Sequence, residues 1–154
     1  MKEDFLKKAI CIAEGNIEKG GGPFGALIVR DGKIIAEEAN RVTSMNDPTA
    51  HAEILAIRSA AMTLGTWDLT GCELYTSCEP CPMCLGAVYW AHISKVYFAA
   101  SRHDAMEAGF DDEEMYTEYN KDPSERKIYM ESRLKEKGKG VFRKWLEKED
   151  RREY

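Results

Sequence analysis

Pro80-Cys81-Pro82-Met83-Cys84 is the stretch from which the fold and the chemistry can be predicted, when it is taken with a second stretch earlier in the chain. That second stretch is His51-Ala52-Glu53. They supply one histidine and two cysteines, the side chains that zinc prefers in a tetrahedral site. Three protein ligands leave the fourth position open to water, as in catalytic rather than structural zinc sites. We therefore predict one Zn²⁺ per chain, bound by His51, Cys81 and Cys84.

Each stretch lies at a predicted helix start. Asp47-Pro48 is typical of a first turn, with Asp as the cap, and predicts a helix over Thr49–Leu64. Pro82 likewise predicts a second helix that ends near Trp90. Unpaired N–H groups at a helix start favour thiolate, the form that binds metal. We expect the two helix starts to face each other across the metal, with Glu53 as a proton carrier and not a ligand.

Two simpler interpretations compete with a zinc site. A lone C-x-x-C in an intracellular chain is compatible with a redox pair, and a lone histidine is compatible with a hydrogen-bonded core residue. The joint occurrence of both motifs, in this order and each at a helix start, favours the metal.

Composition predicts an ordinary single domain. The chain has 154 residues, 44% hydrophobic and 32% charged, and a net charge of −5. This acidic balance disfavours nucleic acid as a partner, since nucleic-acid-binding surfaces are usually basic. The five cysteines do not resemble a secreted disulfide framework, and no apolar run resembles a signal peptide or a membrane span. We expect a cytoplasmic protein without a membrane partner.

The remaining pattern predicts alternating strands and helices. Asp31-Gly32 is a hairpin turn signal between the first two strands, and strand–helix alternation further along predicts parallel pairing in an α/β layered domain. The predicted helices are Asp4–Lys19, with Cys11 as a packed thiol, Glu113–Tyr119 and Val141–Leu146; the predicted strands are Ala26–Val29, Ile34–Ala36, Glu73–Ser77, Lys95–Ala100 and Lys127–Met130.

Two further positions have both a structural and a functional interpretation. The glycine-rich run Gly20–Gly25 indicates close approach of backbone to a ligand, and Phe24 within it is either a core residue or an aromatic wall. Asn40 is either a turn former or an amide that hydrogen-bonds a base edge. Asp111 or Asp112 is typical of a helix cap ahead of Glu113.

The sequence resembles the cytidine-deaminase-like superfamily, and within it the bacterial guanine deaminases. The pattern H-x-E…P-C-x-x-C is the signature of zinc deaminases. The resemblance covers essentially the whole chain and is carried by Gly21–Ala26, Asn46–Glu53, Tyr75–Ala87, Tyr89-Trp90-Ala91, Glu107–Asp112 and Glu153-Tyr154.

The resemblance implies a three-layer α/β/α sandwich with a mixed five-stranded sheet, and hydrolysis of guanine to xanthine and ammonia. It also implies a homodimer in which the C-terminal segment, about residues 141–154, crosses to the partner subunit. Adenosine in transfer RNA and cytosine are the alternative substrates, and a non-catalytic zinc-stabilised binding module is the alternative class. The residues that it implies are Glu53 and Asp112 for catalysis, Asn40, Phe24, Ala52, Trp90 and Tyr154 for the purine, and His51, Cys81 and Cys84 for zinc.

Overall fold

The computed structural model describes residues 1–154 and divides into two compact units, of which the first, Met1–Asp112, is organised by a four-stranded mixed sheet. The strands lie in the order β2-β1-β3-β4. β1 is antiparallel to β2 and β3, whereas β3 and β4 are parallel. The predicted hairpin of β1 and β2 is confirmed, with positive φ at Asp31 and Gly32 in its turn, and the predicted parallel pairing is confirmed for β3 and β4. The strands are β1 Gly25–Arg30, β2 Lys33–Ala39, β3 Cys72–Cys78 and β4 Lys95–Ala100.

Helices cover both faces of this sheet. Alternation along β1 sends Leu27 and Val29 to the face packed by the first helix, and Ala26 and Ile28 to a second core that includes Ala56 and Val88 of later helices. The three-layer α/β/α prediction is thus confirmed. The helices are α1 Lys2–Glu18, α2 Val42–Met45, α3 Ala52–Leu64, α4 Pro82–Trp90, α5 Arg102–Glu107, α6 Glu113–Tyr119 and α7 Lys135–Glu147, with a 3₁₀ turn at Pro123–Glu125. None of them combines the length and apolar character needed to cross a bilayer.

Gly25 makes the contact between α1 and β1 unusually close. A Cβ built on Gly25 would lie 2.4 Å from the carbonyl oxygen of Ala9 and 2.9 Å from the backbone nitrogen of Ala13. The Gly25 N–H donates to Ser77 Oγ at 3.1 Å, which joins β1 to the carboxyl end of β3. The helix therefore rests directly on backbone at the point where β1 begins.

The start of α3 differs from the prediction. Asp47 Oδ1 accepts hydrogen bonds from the backbone N–H of Thr49 at 2.8 Å and from its hydroxyl at 2.7 Å, which makes a separate turn. The chain then stays extended at His51 (φ −68°, ψ 151°), and the helix begins at Ala52. The predicted start of α4 is confirmed, with Pro82 in its first turn.

Residues 113–154 form a second compact unit. α6 has the predicted bounds, and α7 begins six residues before the predicted Val141, at Lys135. The predicted strand Lys127–Met130 is wrong: Ile128 and Tyr129 are exposed, and no neighbouring strand pairs with their backbone. The sheet accordingly has four strands and not five.

Candidate active site

Two helix N-caps bring the metal-binding motifs together. His51 is the N-cap of α3 and Cys81 the N-cap of α4, and both have extended backbone (ψ 151° and 168°). Neither side chain caps its own helix, so each is available to point into the space between the two helix starts. Cys84 follows one turn into α4, on the same face as Cys81 and fully buried.

The distances between these side chains fit a tetrahedral zinc ion. His51 Nδ1 lies 3.6 Å from Cys81 Sγ and 3.6 Å from Cys84 Sγ, and the three ligand atoms lie within 4.8 Å of one another. Zinc–sulfur bonds of about 2.3 Å and zinc–nitrogen bonds of about 2.0–2.1 Å, at the tetrahedral angle, separate nitrogen from sulfur by about 3.6 Å. The donor set and its spacing therefore match zinc without rearrangement.

The electrostatics of the three ligands favour binding a cation. A hydrogen bond from the Cys84 thiol, and then one from His51, lowers the pKa of Cys81 to about 4. The Cys84 thiol donates that first hydrogen bond, which raises the pKa of Cys84. The hydrogen bond between Cys81 and His51 raises the pKa of His51. The low pKa of Cys81 favours the thiolate form that binds a cation, and a bound zinc ion would favour loss of the remaining proton.

Glu53 lies beside the ligands without belonging to them. It is the second residue of α3, only 5% exposed, and its carboxylate is adjacent to the Cys84 thiol. Burial raises the pKa of Glu53 to about 6. A carboxyl group whose pKa lies near neutrality can both accept and return a proton.

Hydrogen bonds join the glycine-rich run to the end of β2. Phe24 N–H donates to Gly22 O at 2.8 Å, and Asn40 N–H donates to Phe24 O at 3.0 Å. Asn40 Oδ1 accepts from Val42 N–H at 3.2 Å, and Asn40 is 92% buried, so its side chain has a fixed orientation. Phe24 packs partly against the core, and its ring meets that of Phe110 edge to face with the centroids 4.9 Å apart, so its predicted core role is confirmed and its role as an aromatic wall stays a prediction.

Asp112 is electrostatically coupled to the metal ligands. Burial raises its pKa, and the nearby Cys81 thiolate adds to the shift. It follows α5, whose start is fixed by a capping box between Ser101 and Asp104 and by a 3.0 Å hydrogen bond from Arg102 N–H to Glu79 Oε2. The motif S-x-x-D could have predicted α5 from the sequence.

The other predicted residues are more dispersed. Ala52 is fully buried at the start of α3, beside His51 and Glu53. Trp90 ends α4, about 9 Å along the helix axis from Cys84, and is exposed. Tyr154 belongs to the second unit and is 73% exposed. The assignment of these three residues to purine binding stays a prediction.

The remaining cysteines lie outside the ligand group. Cys78 is buried at the end of β3, where its thiol donates to Ser101 O at 3.6 Å and burial raises its pKa to about 11. Burial also raises the pKa of Cys72. Cys11 is exposed on α1, so the prediction of a packed thiol is wrong: at about 100° per residue it lies about 200° around the helix from the buried Ala9.

Comparison with known proteins places this geometry in a family context. Residues 1–100 match the cytidine and deoxycytidylate deaminase zinc-binding region. The chain is 51% identical over 153 residues to guanine deaminase of Bacillus subtilis (strain 168), covering 99% of this chain and 98% of that protein. The crystal structure of the Bacillus subtilis protein superposes with a TM-score of 0.96 and the same two coverages.

Two further relatives match only in part. A tRNA-specific adenosine deaminase of Aquifex aeolicus (strain VF5) is 50% identical over 99 residues, which are 64% of this chain and 66% of that protein. A crystal structure of NE0047 in complex with 2,6-diaminopurine has a TM-score of 0.70 and 39% identity, covering 73% of this chain and 63% of that one.

Proposed function

The chain belongs to the cytidine and deoxycytidylate deaminase zinc-binding family, and we propose that within it this protein deaminates guanine to xanthine and ammonia. The observation that carries the proposal is 51% identity to a guanine deaminase along 99% of the chain, whereas the adenosine deaminase relative matches 64% of it. A net charge of −5 also favours a small base over transfer RNA.

His51, Cys81 and Cys84 would hold the zinc ion, which when bound would lower the pKa of a water molecule to about 7 and make hydroxide available at neutral pH. Glu53 accepts the proton of that water and passes it to a ring nitrogen of guanine. The carbon that bears the amine gains a bond to oxygen and loses its bond to nitrogen. The added hydroxyl then gives up its own proton as it becomes the carbonyl of xanthine, and Glu53 or Asp112 passes that proton to the amine, which leaves as ammonia.

Phe24 and Asn40 are proposed to bind the base. A flat purine fits a pocket that has an aromatic wall and a few fixed polar groups. The Phe24 ring supplies the wall, supported from behind by Phe110. The Asn40 amide, oriented by Val42 N–H, offers hydrogen bonds to a base edge.

A substrate screen tests the function. We expect the zinc-loaded protein to release ammonia from guanine, with xanthine as the product, and to leave cytosine and transfer RNA unchanged. Ammonia and xanthine are measured with free bases, nucleosides and a transfer RNA, and a metal-chelated sample serves as the control. Turnover of adenosine in transfer RNA but not of guanine would favour a tRNA adenosine deaminase. Zinc binding without any ammonia release would favour a binding module.

A second chain is proposed to complete each pocket. α7 is amphipathic, and its apolar side chains are exposed in the single chain: Val141, Phe142 and Leu146 are each at least 64% exposed. Exposed apolar faces of this kind mark interaction sites. In a homodimer whose C-terminal segments cross, each α7 covers its face on the partner subunit, and the tail delivers Tyr154 to the other pocket.

Mixing two inactive variants tests the crossing. One is Glu53→Gln with an intact tail, and the other keeps Glu53 but lacks Arg151–Tyr154. With crossing, a mixed dimer contains one pocket with both Glu53 and a borrowed tail. Refolding an equal mixture should restore about a quarter of wild-type activity, since half of the dimers are mixed and each has one complete site of two.

The matched control replaces the first variant by Glu53→Gln without the tail, and here we expect no recovery. Activity that stays at the sum of the two parents in both mixtures, while size measurements show mixed dimers, would mean that each tail serves its own chain.

A further inference from the structure

Asn16, in the last turn of α1, joins two segments that are distant in sequence. Its side-chain Nδ2 donates to Gly22 O at 2.7 Å and to Asn40 O at 2.9 Å. A primary amide nitrogen carries two hydrogens, so both donors of this side chain are used. One residue therefore ties the glycine-rich run to the end of β2.

The two acceptors belong to the segments that carry the proposed base-binding residues. Gly22 O also accepts from Phe24 N–H, and Phe24 O accepts from Asn40 N–H, so the hydrogen bonds form a closed ring from Asn16 through Phe24 to Asn40. Removing the Asn16 side chain would leave Phe24 and Asn40 connected to each other, but without the two side-chain hydrogen bonds that tie Gly22 O and Asn40 O to α1.

The glycines in this run are explained by the same ring. A Cβ on Gly21 would lie 2.3 Å from Asn16 Nδ2, and one on Gly22 would lie 3.1 Å from Asn40 Oδ1. The close backbone approach indicated by the sequence is therefore an approach to two asparagine side chains, and larger residues would displace one or the other.

The end of α1 does not itself require this side chain. The backbone carbonyl of Asn16 already accepts from Lys19 N–H at 3.1 Å and from Gly21 N–H at 2.8 Å, which ends the helix. The amide group thus contributes to the ring and not to the helix cap. Nor does it bond to the metal ligands or to Glu53, which lie on α3 and α4.

We propose that Asn16 is a positioning residue for base binding, which holds Asn40 and Phe24 in the geometry that receives the purine. The proposal rests on the proposed function, because it assumes that these two residues contact the base. It predicts an effect on KM that is separate from kcat, since the proton carrier and the metal ligands are untouched.

Asn16→Asp is the decisive variant, because it keeps the shape of the side chain and replaces both donors by an acceptor that faces two carbonyl oxygens. We expect KM for guanine to rise at least about tenfold, while kcat stays within about threefold of wild type and zinc remains stoichiometric. Asn16→Ala removes the donors without adding charge and serves if the aspartate variant does not fold. Unchanged KM in the folded, zinc-loaded variant would overturn the proposal.

A double-variant cycle with Asn40→Ala separates positioning from a general loss of stability. If Asn16 acts through Asn40, the double variant should have a KM close to that of the worse single variant. If the KM of the double variant instead rises by the product of the two single-variant fold-changes, the two residues act independently and the proposal is overturned.

The matched control is Asp68→Ala, which removes two comparable hydrogen bonds, from Thr70 N–H and Thr70 Oγ1, and a 3.4 Å contact with His92 Nδ1, ahead of β3 and away from its active-site end. It should leave KM unchanged. The wild-type protein in the same assay separates a failure of the proposed function from a failure of the positioning role of Asn16. Absence of guanine turnover in wild type would overturn the proposed function, whereas normal turnover with an unaffected Asn16→Asp would overturn only the positioning role.

Discussion

Glu53→Gln will keep its zinc and still bind guanine, but its turnover will fall by about 10²–10⁴-fold. Glutamine preserves the shape of the side chain, and the zinc ligands are His51, Cys81 and Cys84, so the metal site stays intact. An amide cannot take a proton from water and return it to the purine. The buried setting that raises the pKa of Glu53 to about 6 therefore becomes useless in this variant.

The measurement combines elemental analysis for zinc with single-turnover kinetics of xanthine formation. Glu14→Gln, which changes an exposed carboxylate on α1 in the same way, is the control and should retain wild-type kinetics. A zinc-loaded Glu53→Gln protein with turnover near that of wild type would remove Glu53 from the mechanism.

Cys81→Ser and Cys84→Ser should each lose stoichiometric zinc and, with it, all measurable deamination. A serine hydroxyl does not ionise at neutral pH, so each variant has only two of the three ligand atoms that lie within 4.8 Å of one another. Because serine is nearly the same size as cysteine, the fully buried Cys84 position should tolerate the change in shape.

Zinc content after dialysis against a weak chelator, and ammonia release from guanine, are the two readouts. Cys11→Ser alters an exposed thiol outside the ligand group and should retain both. Full metal content in either active-site variant, or metal loss in Cys11→Ser, would show that the ligand assignment is wrong.

The metal site was predictable because its signal is local and chemical. Cys81 and Cys84 are one helical turn apart, and Pro82 marks the helix start, so three positions specify their geometry. The start of α3 was less predictable. An aspartate before a proline looks the same whether it caps a helix or a short turn, and Asp47 makes the turn.

Errors elsewhere have tertiary causes. Lys127–Met130 has the composition of a strand, yet a strand exists only where another strand pairs with its backbone, and none does here. Gly138 and Gly140 disfavoured a helix over residues that α7 nevertheless includes. Asn16 gave no sequence signal at all, because its acceptors are 6 and 24 residues away.

The close contact at Gly25 limits how this chain can diverge. A side chain at position 25 would meet the backbone of α1 at Ala9, so α1 would have to retreat as a whole before any larger residue could be accepted. Such a retreat would also move Asn16 on the same helix and the Phe24 that precedes the glycine. Substitutions in this packing layer are therefore epistatic with substrate recognition: a change that is neutral for folding in one sequence background would alter the pocket in another.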